Sequence, residues 1–195
     1  PLCYQPEASS SPQGGVFADQ ILMIKMLSHC LPKNWLIYVK EHPVQWATSS
    51  LAYFDFRYKG YYEEIAKIKN VKLIPININS HELIVKSRAV CTISGTAGIE
   101  ASLRLRPVLL FGYVSYRYCP GVFKIKNSED CREAMEKIVS GLKVEKQQLI
   151  NYLISLDKVS YHLNFEAEST GHSKLEEEDI ARTIVGALAG GAGES

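Results

Sequence analysis

Three short stretches of this chain bring together residue types that handle phosphate groups or sugar hydroxyls. Ser94-Gly95-Thr96-Ala97-Gly98-Ile99-Glu100 sets two hydroxyls and two glycines ahead of an acid. Glycines let a ligand approach the backbone, and a helix starting here has free amides at its first turn that can bind an anion. Glu100, one turn further on, suits hydrogen bonds from sugar hydroxyls, or it simply favours the helix dipole. On the plainer reading, Gly95 and Gly98 serve only a tight turn and close helix packing. Lys40-Glu41-His42-Pro43 ends an apolar run, and Pro43 holds the chain extended after the histidine. An imidazole at that point can donate to a phosphate oxygen or work as an acid; the alternative is a capping histidine with a satisfied ring. Lys40 alternates with His42 along an extended chain, so the two share a side and offer two donors to one anion. Glu7, Ser9, Ser10 and Ser11 precede Gly14-Gly15, and suit a binding loop or an ordinary loop ahead of a helix equally well.

Two more segments, Tyr53-Phe54-Asp55-Phe56-Arg57-Tyr58 and Tyr113-Val114-Ser115-Tyr116-Arg117-Tyr118, interleave aromatic rings with arginine. Either is suited to stack a base or a sugar, or to face another domain.

The elements that must position these groups are short apolar runs alternating with helical patterns, the signature of parallel βαβ units. Strands are expected at Leu2–Tyr4, Trp35–Val39, Val71–Ile74, Ala89–Ile93, Pro107–Phe111 and, weakly, Val122–Ile125. Their apolar stretches are continuous rather than alternating, as when helices cover both faces of a sheet. Phe17, Ile21, Ile24, Leu27 and Leu31 recur at helical spacing up to Pro32. Further helices fit Tyr61–Lys69, Ser80–Ser87, Gly98–Leu105 and Ser128–Leu142, with Asn79 and Asn127 among the candidate caps. The expected fold is α/β: a Rossmann-like, doubly wound, mostly parallel six-stranded sheet over residues 1–142. Residues 143–189 read as C-terminal packing helices, Gln147–Leu163 and another starting near Glu176–Asp179, and 190–195 as a disordered tail. In a parallel sheet all strands end on one edge, so the loops after the strands, which carry the groups above, converge there.

Composition narrows the function classes. The 195 residues are 46% hydrophobic and 22% charged, an ordinary globular balance, and the net charge of +1 supplies no global field for a nucleic-acid backbone or an acidic membrane. No apolar stretch approaches the roughly 20 residues of a membrane span, and no signal-peptide pattern opens the chain. The expectation is a cytoplasmic protein, at most peripherally associated with the inner face of a membrane. Five cysteines without a Cys-x-x-Cys pair read as reduced thiols. The chain opens at Pro1 with a strand already under way, as a piece of something longer would. Dinucleotide, P-loop, serine-hydrolase and zinc-protease motifs are not found.

Taken together, Tyr4-Gln5-Pro6-Glu7-Ala8-Ser9, Asp19-Gln20, Tyr38-Val39-Lys40-Glu41-His42-Pro43, Ser94 to Ala101 and Pro107 to Gly112 resemble the C-terminal, donor-binding half of a GT-B glycosyltransferase. The resemblance covers about residues 1–125 and is nearest to bacterial capsule and surface-polysaccharide transferases, including those of 3-deoxy-manno-octulosonic acid. It implies that His42 contacts the phosphate of a CMP- or UDP-linked sugar as the catalytic group, with Glu7, Ser9, Ser10, Lys40, Ser94, Gly95, Thr96 and Gly98 in the binding site and Glu100 on the ribose. It implies a nucleotide-sugar donor and no metal or other cofactor, an N-terminal acceptor domain as partner, a glycan acceptor, and a fragment inactive alone. The same half-domain plan is similar to that of nucleotide-sugar 2-epimerases, and a non-catalytic nucleotide or carbohydrate-binding module also fits the residues.

Overall fold

The computed structural model describes residues 1–5, 11–46, 57–160 and 181–186. Glu7, Ser9, Ser10 and the aromatic stretch Tyr53–Phe56 lie outside the described residues, as do residues 161–180 and the tail. The chain divides into two compact units, Pro1–Leu149 and Ile150–Ser195.

The first unit is α/β, and every strand pairing in it is parallel. Helix α1 (Gln20–Cys30) begins where Asp19 accepts hydrogen bonds from the amides of Ile21 and Leu22, an N-cap that satisfies two orphan donors. Strand β1 (Ile37–Lys40) follows, then α2 (Tyr61–Ala66), β2 (Val71–Ile74), α3 (Ser80–Lys86) and β3 (Val90–Thr92). The order continues with α4 (Ala97–Ser102), β4 (Val108–Leu110), β5 (Val122–Lys124) and α5 (Ser128–Val139). Asn79 and Asn127 cap α3 and α5 through their side-chain oxygens, as their types lead one to expect. Helix α6 (Lys146–Val159) spans the boundary of the two units, and residues 181–186 of the second unit are helical. Among the described residues no helix is long and apolar enough to cross a membrane, and all five cysteines are free.

Among the described residues five strands make two sheets, β2-β1 and β3-β4-β5, rather than the expected single six-stranded one, and the difference has a local cause at Leu2–Tyr4. Leu2 N–H does donate to Lys40 O at 2.8 Å, as a neighbouring parallel strand would. The next peptide is satisfied differently. The fully buried amide of Gln20 accepts from Cys3 N–H at 2.8 Å and donates to Cys3 C=O at 2.9 Å. A side-chain amide thus stands in for a strand partner, and no ladder bridges the two sheets. An apolar cavity of about 690 Å³ lies there, bordered by Leu36–Lys40 on one side and Ala89–Cys91 on the other.

The central strand β4 is buried along its whole length. Leu109 and Phe111 join the core formed with Phe17, Ile21, Ile24 and Leu27 and with Cys131, Ala134 and Ile138 of α5. Val108 and Leu110, pointing to the opposite face by strand alternation, are equally buried where α4 packs on β3 and β4. Layers on both faces are what the continuous apolar runs require.

Candidate functional site

The loops that follow β1 and β3 carry the polar groups singled out above. After β1, Glu41 is buried, and its carboxylate organises the surroundings of His42. Glu41 Oε1 accepts from His42 N–H at 2.6 Å and from Arg57 Nη2 at 3.2 Å, while Oε2 accepts from Arg57 Nε at 2.9 Å and Tyr62 Oη at 2.8 Å. The Arg57 and Glu41 side chains are only 5% and 4% exposed, so this is an interior ion pair. Arg57 also donates to Gln5 Oε1 at 2.5 Å and to Cys3 C=O at 2.9 Å, and lies over the Tyr61 ring. Burial alone would lower its pKa, but the Glu41 hydrogen bond and the surrounding charges hold it above the ordinary guanidinium value. Burial and the Glu41 bond raise the Tyr62 hydroxyl well above the usual tyrosine range.

His42 itself is half-buried, its ring 5.9 Å from that of Tyr4. Its Nδ1 accepts a hydrogen bond from Val44 N–H at 3.3 Å. A nitrogen that accepts has no proton, so in the neutral ring the proton sits on Nε2, which is left to donate. Lys40 does not stand open beside it: the side chain is buried and Nζ donates to Ser80 Oγ at 2.6 Å. That contact places the ammonium at the polar end of the apolar cavity, between β1 and α3.

After β3, the backbone turns sharply because buried Thr92 reaches back: its Oγ1 accepts from Gly95 N–H at 3.0 Å. Ser94 Oγ lies 3.8 Å from Cys3 Sγ, so the β3 loop and the β1 loop meet the same residue, Cys3, whose carbonyl binds Arg57. Thr96 is exposed and its hydroxyl makes no capping bond to α4. The two glycines have clear structural work. A Cβ on Gly98 would overlap Tyr116 Oη and lie 2.8 Å from the ring, and one on Gly95 would meet Thr92 Oγ1 at 3.0 Å. The Tyr116 hydroxyl donates to Gly95 C=O at 2.6 Å, which ties the turn to the loop after β4. Glu100 is one-third exposed and lies 3.5 Å from His81 Nδ1, which also contacts Arg104 at 3.0 Å. Its carboxylate thus meets α3, and the structure gives no contact between it and His42 or Ser94.

Four residues of this region were not legible as a group. Gln20, Arg57, Tyr62 and Tyr116 shape the two loops, yet their partners lie 16 to 21 positions away in sequence. Arg57, expected on composition to stack a ligand or meet another domain, is instead consumed by Glu41. An alternating Tyr/Arg stretch gives no sign of which cation will be neutralised inside the fold.

Comparison with curated proteins and with solved structures gives no match to this chain. The family model described as capsule polysaccharide biosynthesis protein matches residues 10–153, which include both loops and every strand of the fold. The chain belongs to the capsule polysaccharide biosynthesis protein family.

Proposed function

We propose that this chain is the donor-binding part of a glycosyltransferase in capsule or surface polysaccharide synthesis, taking a CMP- or UDP-linked sugar. The observation that carries the reading is the state of His42. Its amide is held by Glu41 and its Nδ1 by Val44 N–H, so Nε2–H is fixed as a donor on the edge where parallel α/β sheets bind ligands. The loop of Ser94 and Thr96 reaches the same edge and is linked to the His42 loop through Cys3 and Arg57.

In this reading Nε2 of His42 donates to a phosphate oxygen of the nucleotide, and Ser94 and Thr96 add hydroxyl donors. As the bond between sugar and phosphate breaks, negative charge grows on the departing phosphate, and donors fixed in advance lower the barrier. Gly95 and Gly98 keep the turn close enough for that approach. Lys40 contributes positive potential from beneath, since one of its three donor protons is engaged by Ser80. Glu100 takes the ribose hydroxyls, and Glu7, Ser9 and Ser10 complete the donor loop. No metal or other cofactor has a part in this scheme. The glycan acceptor and the base that activates it belong to an N-terminal acceptor domain, so the chain alone binds donor without turnover.

Calorimetric titration with CMP, UDP, GDP and ADP, beside His42→Ala, tests this. A charge-assisted hydrogen bond is worth about 1.5–3 kcal/mol, so the variant should lose roughly ten- to 150-fold in affinity for the preferred nucleotide. Binding that is equal in the variant and the parent would remove His42 from the site.

A further inference from the structure

Some cations of the described structure pair with a specific acid: Lys25 with Glu64, Arg57 with Glu41, Lys86 with Glu82 and Arg132 with Glu129. Arg117, Lys124 and Lys126 are different. Among the described residues none of the three has a carboxylate within ion-pair distance, and all three border one hollow of about 440 Å³. That volume lies within the roughly 300–1,000 Å³ range of small-molecule sites.

The hollow opens at the carboxyl ends of β4 and β5. Its wall includes Gly112 and Tyr113 after β4, Lys124 to Lys126 at the end of β5, and Gln13 to Phe17 ahead of α1. Among the described residues no acidic side chain borders it. None of His42, Ser94, Thr96 or Glu100 borders it either, which sets it apart from those four groups of the nucleotide site proposed above. Two tyrosines hold Arg117 and Lys124 in place. The Arg117 guanidinium lies 3.9 Å from the Tyr113 ring centre and 4.6 Å from that of Tyr118, and Lys124 Nζ lies 4.7 Å from the latter. Arg117 is further fixed by donating to Val114 C=O at 2.9 Å, while its buried Nε has no hydrogen-bond partner among the described residues. Two like charges sharing one ring repel, and among the described residues no carboxylate pairs with either. The field is visible in Tyr118, whose exposed hydroxyl is drawn below the ordinary tyrosine value by the Arg117 hydrogen bond and by the Arg117 and Lys124 charges.

We propose that this hollow is a subsite for a sugar bearing an oxyanion, a carboxylate or a phosphate, with the anionic group received by Arg117 and Lys124. The exposed Tyr113 ring offers an apolar face for the C–H side of a pyranose, and Lys126 stands at the rim. A long nucleic-acid strand is the wrong partner: it needs cations along a track, whereas these three close on one concavity in a chain of net charge +1. The subsite rests on the donor-binding reading only for whether the sugar belongs to donor or acceptor; the binding itself does not.

The test is titration of this chain, followed by amide NMR shifts, with glucuronic acid, glucose 6-phosphate, glucose and inorganic phosphate. At least one of the two anionic sugars should bind saturably, with shifts at Gly112 and Lys124, and glucose should not. Which one binds more tightly identifies the anion. Lys124→Gln, at an exposed position that leaves the fold intact, should weaken that sugar at least threefold and leave CMP binding unchanged. Arg117→Gln should weaken it at least tenfold. Failure of both anionic sugars to bind, equal binding in Lys124→Gln, or inorganic phosphate binding as tightly as either sugar would overturn the subsite. CMP binding that is absent, or that His42→Ala leaves unchanged, would instead count against the nucleotide site and leave this one standing.

Discussion

Glu41→Gln isolates the ion pair that shapes the His42 loop, because it keeps the side-chain size and removes the charge. Four donors converge on the two carboxylate oxygens: His42 N–H and Arg57 Nη2 on Oε1, Arg57 Nε and Tyr62 Oη on Oε2. A carboxamide has one carbonyl oxygen, so whichever way it turns, its NH2 faces two of those donors. Arg57, with its side chain 5% exposed, keeps Gln5 Oε1 and Cys3 C=O but loses its counter-charge. Breaking one side of a buried pair costs about 3–5 kcal/mol. For a chain of this size that is a fall in melting temperature of about 6–20 °C, at about 2–4 °C per kcal/mol.

The assay is urea unfolding of Glu41→Gln, Arg57→Met and the double variant, followed by far-UV circular dichroism. Each single change leaves one charged partner stranded, whereas the double change strands neither. The double variant should therefore cost less than the two singles added together, by well over the about 0.5 kcal/mol that independent sites show. A loss under about 1 kcal/mol in Glu41→Gln, the scale of a solvent-screened surface pair, would refute the reasoning. So would strict additivity of the cycle.

Gly98→Ala forces a methyl into Tyr116 and should cost about 1–3 kcal/mol by overpacking, most of it recovered when Tyr116→Ala opens the space; chemical denaturation of the two variants and their combination checks it. Gln20→Met removes both hydrogen bonds to the Cys3 peptide and should cost about 1–3 kcal/mol for the amide left unpaired, read by the same method. Burial pushes the Cys91 thiol from 9.0 up to about 12, so the fold favours its protonated form. That contribution is complete below the unfolded value and declines as pH rises from 9.0 towards about 12. Iodoacetamide should accordingly label Cys91 in the native chain far more slowly at about pH 8 than after unfolding, as mass spectrometry would read; equal rates would contradict it.

The class of fold and the edge on which the loops meet could be read from alternating apolar runs and helical periods, since those patterns report burial directly. Val71–Ile74 forms as expected, and Asn79 and Asn127 cap the helices they precede. Helix ends came out shorter than their apolar periods: Phe17 to Leu31 suggests one long helix, but Gly15–Ala18 is a 3-10 turn and Asp19 caps the helix proper at Gln20. What periodicity could not carry is which polar group pairs with which. Leu2–Tyr4 reads as a strand because its residues are apolar, yet the partner of the Cys3 peptide is a glutamine side chain on α1. Nothing in residues 1–5 encodes that.

The same limit governs the cations at the ligand edge. Lys40 and Arg57 both lie beside the His42 loop, and both are buried and engaged, one by Ser80 and one by Glu41. The Arg57 charge is met by Glu41 inside the fold and has little left to offer a ligand, whereas Lys40 is held by a neutral hydroxyl and keeps its positive potential. Among the described residues Arg117, Lys124 and Lys126 are left without an acid partner at the carboxyl ends of β4 and β5, the first two braced by tyrosine rings. His42 escapes the conflict because its ring donates while neutral, and its Val44 bond sets which nitrogen does so. On the two proposals made above, phosphate would be held by a neutral donor near β1 and an anionic sugar met by charge near β5, so salt should weaken the second interaction much more than the first.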